Sequence, residues 1–185
     1  MANHTKIIKL DGSLTIELIK NTIQDINNDI FNGLLPVAYN DESNYISICK
    51  SLSDKSYDGL NMWIEQDYIF YSEDDELPVN GLYIDIRQGH ASDFYWWLDY
   101  VIIVELANRL NAIVLGEGFD YKLERPENGY EYTKTFRETL FKPYFKTTWI
   151  DMLFNRVRAK WELDKTKEDI SPELFDLVWK MKKLN

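Results

Sequence analysis

Four groups of side chains have types and spacings that could do chemistry. Asp54-Lys55-Ser56-Tyr57-Asp58-Gly59, followed by Glu65, places oxygens at positions one, three and five, glycine at six and a carboxylate at twelve. A calcium loop needs that spacing, because a hard cation wants converging oxygens. Asp54, Ser56, Asp58 and Glu65 would be the ligands. Against this, Asn61 stands where a loop of that kind keeps a buried aliphatic, and bulky Tyr57 occupies position four. Strand-like sequence also replaces the exiting helix, so a hairpin turn is the preferred reading. Asp85, Arg87 and His90 gather at the end of a strand-like run, where a carboxylate orienting an imidazole beside a guanidinium suits acid–base or phosphate chemistry. A surface ion pair beside a loop histidine explains the same residues without catalysis.

Glu117 and Asp120 flank Gly118. With Asp85 or Glu65 they could form a carboxylate pair for glycoside or phosphoester chemistry; nothing in the spacing requires it, and a glycine turn with polar ends is the preferred reading. The fourth group is Ser72-Glu73-Asp74-Asp75-Glu76, four carboxylates in a loop that could receive a cationic partner or simply be a solvated turn. The sequence has no G-x-S-x-G elbow, no P-loop and no G-x-G-x-x-G. Its two histidines and one cysteine supply little for a zinc site of the usual ligand types. No cofactor is expected.

These residues must be positioned by the elements around them. Ile7 and Ile8 suggest a short strand. Ser13 is a good N-cap, and Ile16, Ile19, Ile23, Ile26 and Ile30 recur at spacings of three and four before Asn32-Gly33. This predicts an amphipathic helix over 14–31. Tyr45–Ile48, Leu60–Ile64, Tyr68–Tyr71 and Leu82–Arg87 read as short strands of an antiparallel sheet with one covered face. In the last of them, Leu82, Ile84 and Ile86 alternate with Tyr83, Asp85 and Arg87. Ser92 would cap a helix from Asp93 to about Leu110 that is apolar nearly all round, and therefore central. Its charged exceptions are Asp99 and Glu105, the latter one turn before Arg109. Ala112–Leu115 and Phe119–Leu123 suggest two more strands, and Cys49 is expected to be a small core residue. Helical patterns fill about 133–185, with Pro143 as a break and Ser171-Pro172-Glu173 as a start. The expectation is a single α+β domain over 1–185: a mainly antiparallel sheet packed by an N-terminal helix, a central buried helix and C-terminal helices.

Length and composition set the outer bounds. The chain has 185 residues, 45% of them hydrophobic and 15% aromatic, enough apolar surface for one substantial core and too much for a disordered chain. No apolar run reaches the roughly 18–20 residues of a bilayer span, so no membrane association is expected. The N-terminal residues lack a basic segment leading into an apolar one, and Cys49 is the sole cysteine. Both point to a reducing, cytoplasmic setting.

Charge is distributed unevenly. Residues 61–120 carry twelve acidic side chains against only Arg87 and Arg109, with no lysine. Residues 121–185 carry fourteen basic and eleven acidic side chains. The acidic middle repels phosphate backbones, which argues against sequence-independent nucleic-acid binding there. It attracts basic partners and speeds their encounter. In the last third, Trp149 and Trp161 fall on the apolar stripe of a helix, so packing plus a solvated face accounts for the basic residues around them. Those cations could also neutralise the acidic middle, within the fold or across a homodimer.

The stretch Leu98-Asp99-Tyr100 through Ala107-Asn108-Arg109-Leu110-Asn111-Ala112-Ile113-Val114-Leu115-Gly116-Glu117-Gly118 resembles the helix-then-strand unit of immunity proteins from bacterial polymorphic-toxin systems. These are small acidic proteins that bind a toxin domain and block its active site. The resemblance implies an inhibitor that neutralises a basic protein through an acidic, aromatic-rich surface. Glu73, Asp74, Asp75 and Glu76 are the candidate contacts, with Tyr68, Tyr71 or Tyr83 as aromatic anchors. Two other readings stay open: an enzyme acting through loop carboxylates (Asp85, His90, Glu117), and a structural or regulatory protein of a phage or mobile element.

Overall fold

The computed structural model describes residues 3–9, 11–48, 60–71, 76–88, 93–115, 122–123, 127, 129–130, 171–174 and 176–177. Among them are strands β1 (Asn3–Ile8), β2 (Val37–Asn40), β3 (Tyr45–Ile48), β4 (Leu60–Tyr71), β5 (Glu76–Gln88), β6 (Ile113–Leu115) and β7 (Lys122–Leu123). The helices are α1 (Ile16–Phe31) and α2 (Asp93–Arg109). The strands form one sheet in the order β2-β3-β4-β5-β1-β6-β7. Every described pairing is antiparallel. The fold is α+β.

Two crossovers break the meander. One runs from β1 through α1 to the far edge at β2; the other runs from β5 through α2, past β1, to β6. They start from strands of opposite direction and travel opposite ways across the sheet. The right-handed rule for crossovers therefore sends both helices to the same face. The packing agrees: α1 and α2 share one core with the sheet. Ile19, Ile23, Ile26 and Phe31 of α1 meet Leu98, Ile102, Ile103 and Leu106 of α2 over Ile7, Ile46, Ile48, Met62, Ile84 and Ile86. Each such isoleucine, once buried, contributes about 2–3 kcal/mol from area removed from water.

Local chemistry sets the element boundaries. The N-cap of α1 is Thr15, not Ser13: its hydroxyl accepts from the Leu18 backbone N–H at 3.1 Å. Ser13 instead gives both its N–H and its hydroxyl to the Asp11 carboxylate, at 2.9 and 2.7 Å. α1 stops where Asn32 and Gly33 turn left-handed, at φ 53° and 73°. The Asn27 side chain then clamps Leu35 through two hydrogen bonds of 2.9 and 3.0 Å, fixing the exit toward β2. Ser171 accepts from the Leu174 N–H at 3.1 Å, and Leu174 is buried in the core.

Two further expectations change. Residues 60–64 and 68–71 form one strand, because Glu65 and Gln66 pair with Tyr83 and Leu82 instead of turning. The sheet is also not covered on one face only. Ile8, Tyr83, Leu115, Ser47 and Asp85 belong to the face away from the helices, and all are buried. Cys49, Ser92 and nearly all of 133–185 lie outside the described residues.

Candidate functional site

The second face of the sheet gathers side chains far apart in sequence. Strand alternation puts Lys6, Tyr83, Asp85, Arg87, Asn61, Trp63, Glu65 and Tyr45 on that face. Register then aligns Lys6, Asp85, Trp63 and Tyr45 in one row across β1, β5, β4 and β3. Lys6 Nζ lies 3.2 Å from Asp85 Oδ1, and Arg87 Nε lies 3.1 Å from Asp85 Oδ2. The Arg87 guanidinium passes over the Trp63 ring, 4.3 Å from its centroid, and reaches Glu65 Oε1 at 3.5 Å. Tyr83 donates its hydroxyl to the other oxygen of Glu65, and Lys6 lies over the Tyr83 ring at 5.2 Å. Tyr45 donates to Asn61 Oδ1 and tilts against Trp63, with ring centroids 4.9 Å apart.

Exposure grades across this array. The Asp85 side chain is 3% exposed, whereas Arg87 and Glu65 are 42% and 37% exposed. Each Asp85 oxygen receives a cationic donor, Lys6 from the neighbouring β1 and Arg87 from two residues along β5 itself, so the Lys6–Asp85 contact is a structural ion pair bridging β1 and β5. Tyr83 is buried against Ile8 and Leu115, so little of its ring faces outward. A second ion cluster joins the helices: Arg109 contacts Glu105 at 3.0 Å, as its spacing predicts, and Asp29 of α1 at 2.8 Å. Burial pulls the Arg109 guanidinium pKa down, but the two carboxylates outweigh that and the net shift is upward. Asp99 is fully buried in α2.

The second feature is the β4–β5 hairpin. Between Asn61↔Arg87 and Gln66↔Leu82 it pairs within the body of the sheet. Beyond Leu82, β4 and β5 pair only with each other among the described residues, from Tyr68↔Val79 to Tyr71↔Glu76. The transition is a bulge: the register shifts between Gln66 and Tyr68, leaving Asn80 and Gly81 opposite Asp67. An extra residue there bends the strand and increases its twist. Gly81 sits at φ +134°, and a Cβ on it would come within 2.9 Å of the Gly12 carbonyl oxygen. The turn after β1 therefore presses on the base of this two-stranded ribbon.

Tyr68 and Tyr71 are in β4 and Glu76 opens β5, so three of the sequence-predicted contacts belong to the ribbon backbone. Glu73, Asp74 and Asp75 lie outside the described residues, as do His90, Glu117, Asp54, Ser56 and Asp58. Asp85 and Glu65 come together through Arg87, an association the sequence reading did not anticipate. It also passed over Lys6, Trp63, Tyr45 and Asn61. Alternating polar and apolar residues at 61–65 and 83–87 were the available signal, once the two strands were known to be paired.

Among the described residues no cluster of three or more His, Cys, Asp or Glu side chains is arranged to hold a metal ion. Among the same residues, no helix is long and apolar enough to cross a membrane. No protein-family model, curated protein or solved structure matches the chain.

Proposed function

We propose that the chain is a protein-binding inhibitor of the immunity type, which neutralises a basic protein by presenting an acidic ribbon to it. One observation carries this reading: beyond Leu82, among the described residues, β4 and β5 pair only with each other as far as Tyr71↔Glu76, which bracket the acidic run at 72–75. Residues 67–80 contain five acidic side chains and no basic one, with Tyr68, Phe70 and Tyr71 among them. Aromatic anchors amid complementary charge are what tight interfaces use, and surplus negative charge steers a cationic partner into encounter. The general resemblance to toxin-neutralising immunity proteins points the same way, as fold-level analogy.

The test is affinity capture of the tagged full-length chain from its native lysate, with elution by rising salt, followed by kinetics on the recovered partner. The expected result is a stoichiometric basic protein whose association rate falls roughly tenfold or more at low salt in the Glu73→Lys/Asp74→Lys variant. Recovery of the chain alone, or association kinetics unchanged by the double reversal, overturns the proposal.

A further inference from the structure

We draw no further inference here: the strongest candidate, the Tyr45–Trp63–Arg87 side-chain cluster on the face of the sheet away from the helices, carries nothing because nothing in the structure shows what covers that face.

Discussion

Asp85 and Glu65 are both bound to Arg87, yet they should respond to mutation very differently. The Asp85 side chain is 3% exposed and is held by Lys6 as well, while Glu65 and Arg87 meet at 3.5 Å with more than a third of each exposed. Removing one member of a buried pair leaves its partner's charge poorly compensated, whereas an exposed pair exchanges for water at little loss. Asp85→Ala should therefore cost about 3 kcal/mol, most of it through Lys6. Glu65→Gln, which keeps an acceptor for Tyr83, should cost about 0.5 kcal/mol or less. Urea midpoints of the two variants check this, and equal losses would show that the ion network is not graded by burial. Asp11 gives a pH-dependent counterpart. Its carboxyl pKa is lowered from 3.8 by the Ser13 hydroxyl, then by the Ser13 N–H. A folded-state pKa below the unfolded one stabilises above the unfolded value and is lost as pH falls through the folded one. The stability gap between the wild-type chain and Ser13→Ala should thus be present at neutral pH and shrink below pH 3.8. A gap that stays constant through acid titration would mean that Ser13 acts by some route other than the carboxylate.

Scaled up to elements, the ribbon depends on one glycine. Gly81 combines a backbone conformation that L side chains rarely adopt with a Gly12 carbonyl oxygen 2.9 Å from where a Cβ would lie. Gly33 has φ +73° but nothing within 4 Å. Both Gly→Ala substitutions incur the positive-φ penalty, and only Gly81→Ala adds a backbone clash. Thermal unfolding should show Gly81→Ala less stable than Gly33→Ala by about 1–2 kcal/mol. Equal losses would remove the Gly12–Gly81 approach as the support of the ribbon. This contact illustrates what a sequence can and cannot disclose. α1 was legible because five isoleucines fall at helical spacing and Asn32-Gly33 ends them, and α2 because its apolar run is too long for a strand. The alternation at 82–87 gave the faces of β5 correctly. By contrast, β2 was missed: Val37–Asn40 is four residues with no alternation of burial, and its neighbour β3 decides it. Residues 60–64 and 68–71 read as separate strands because Glu65-Gln66-Asp67 between them is polar, yet Glu65 and Gln66 pair with Tyr83 and Leu82 and β4 runs on past Asp67 at the bulge. The Lys6–Asp85 contact spans 79 positions, and the bulge at Gly81 is a register shift against β4 that also lies close to Gly12. Periodicity reports which face a residue takes along its own element; it does not report which element will lie beside it.

For the molecule as a whole, the question is whether its negative charge is used internally or left over. The chain carries a net charge of −10, while the basic residues of 121–185 offer a means of internal neutralisation. If neutralisation dominated, added salt would screen attraction and lower stability; if surplus charge dominates, salt would screen repulsion and raise it. The imbalance favours surplus. Residues 61–120 have two arginines for twelve acids, and the structure places Arg87 on Asp85 and Glu65, and Arg109 on Glu105 and Asp29. Among the described side chains, those four carboxylates share the two arginines of that stretch. Taking NaCl from about 10 mM to about 200 mM shortens the screening length from roughly 30 Å to under 10 Å. The urea midpoint should rise across that range. Glu73→Gln/Asp74→Asn should raise the low-salt midpoint and flatten the dependence, because it removes repulsion at its most concentrated point. A wild-type midpoint that falls with salt would mean that folding already uses the acidic middle as a counter-charge. Little of it would then remain to attract a basic partner, and the inhibitor reading would lose its electrostatic basis. A rising midpoint, abolished by the double neutralisation, would identify the ribbon as charge that folding tolerates rather than requires, the condition under which a partner can claim it.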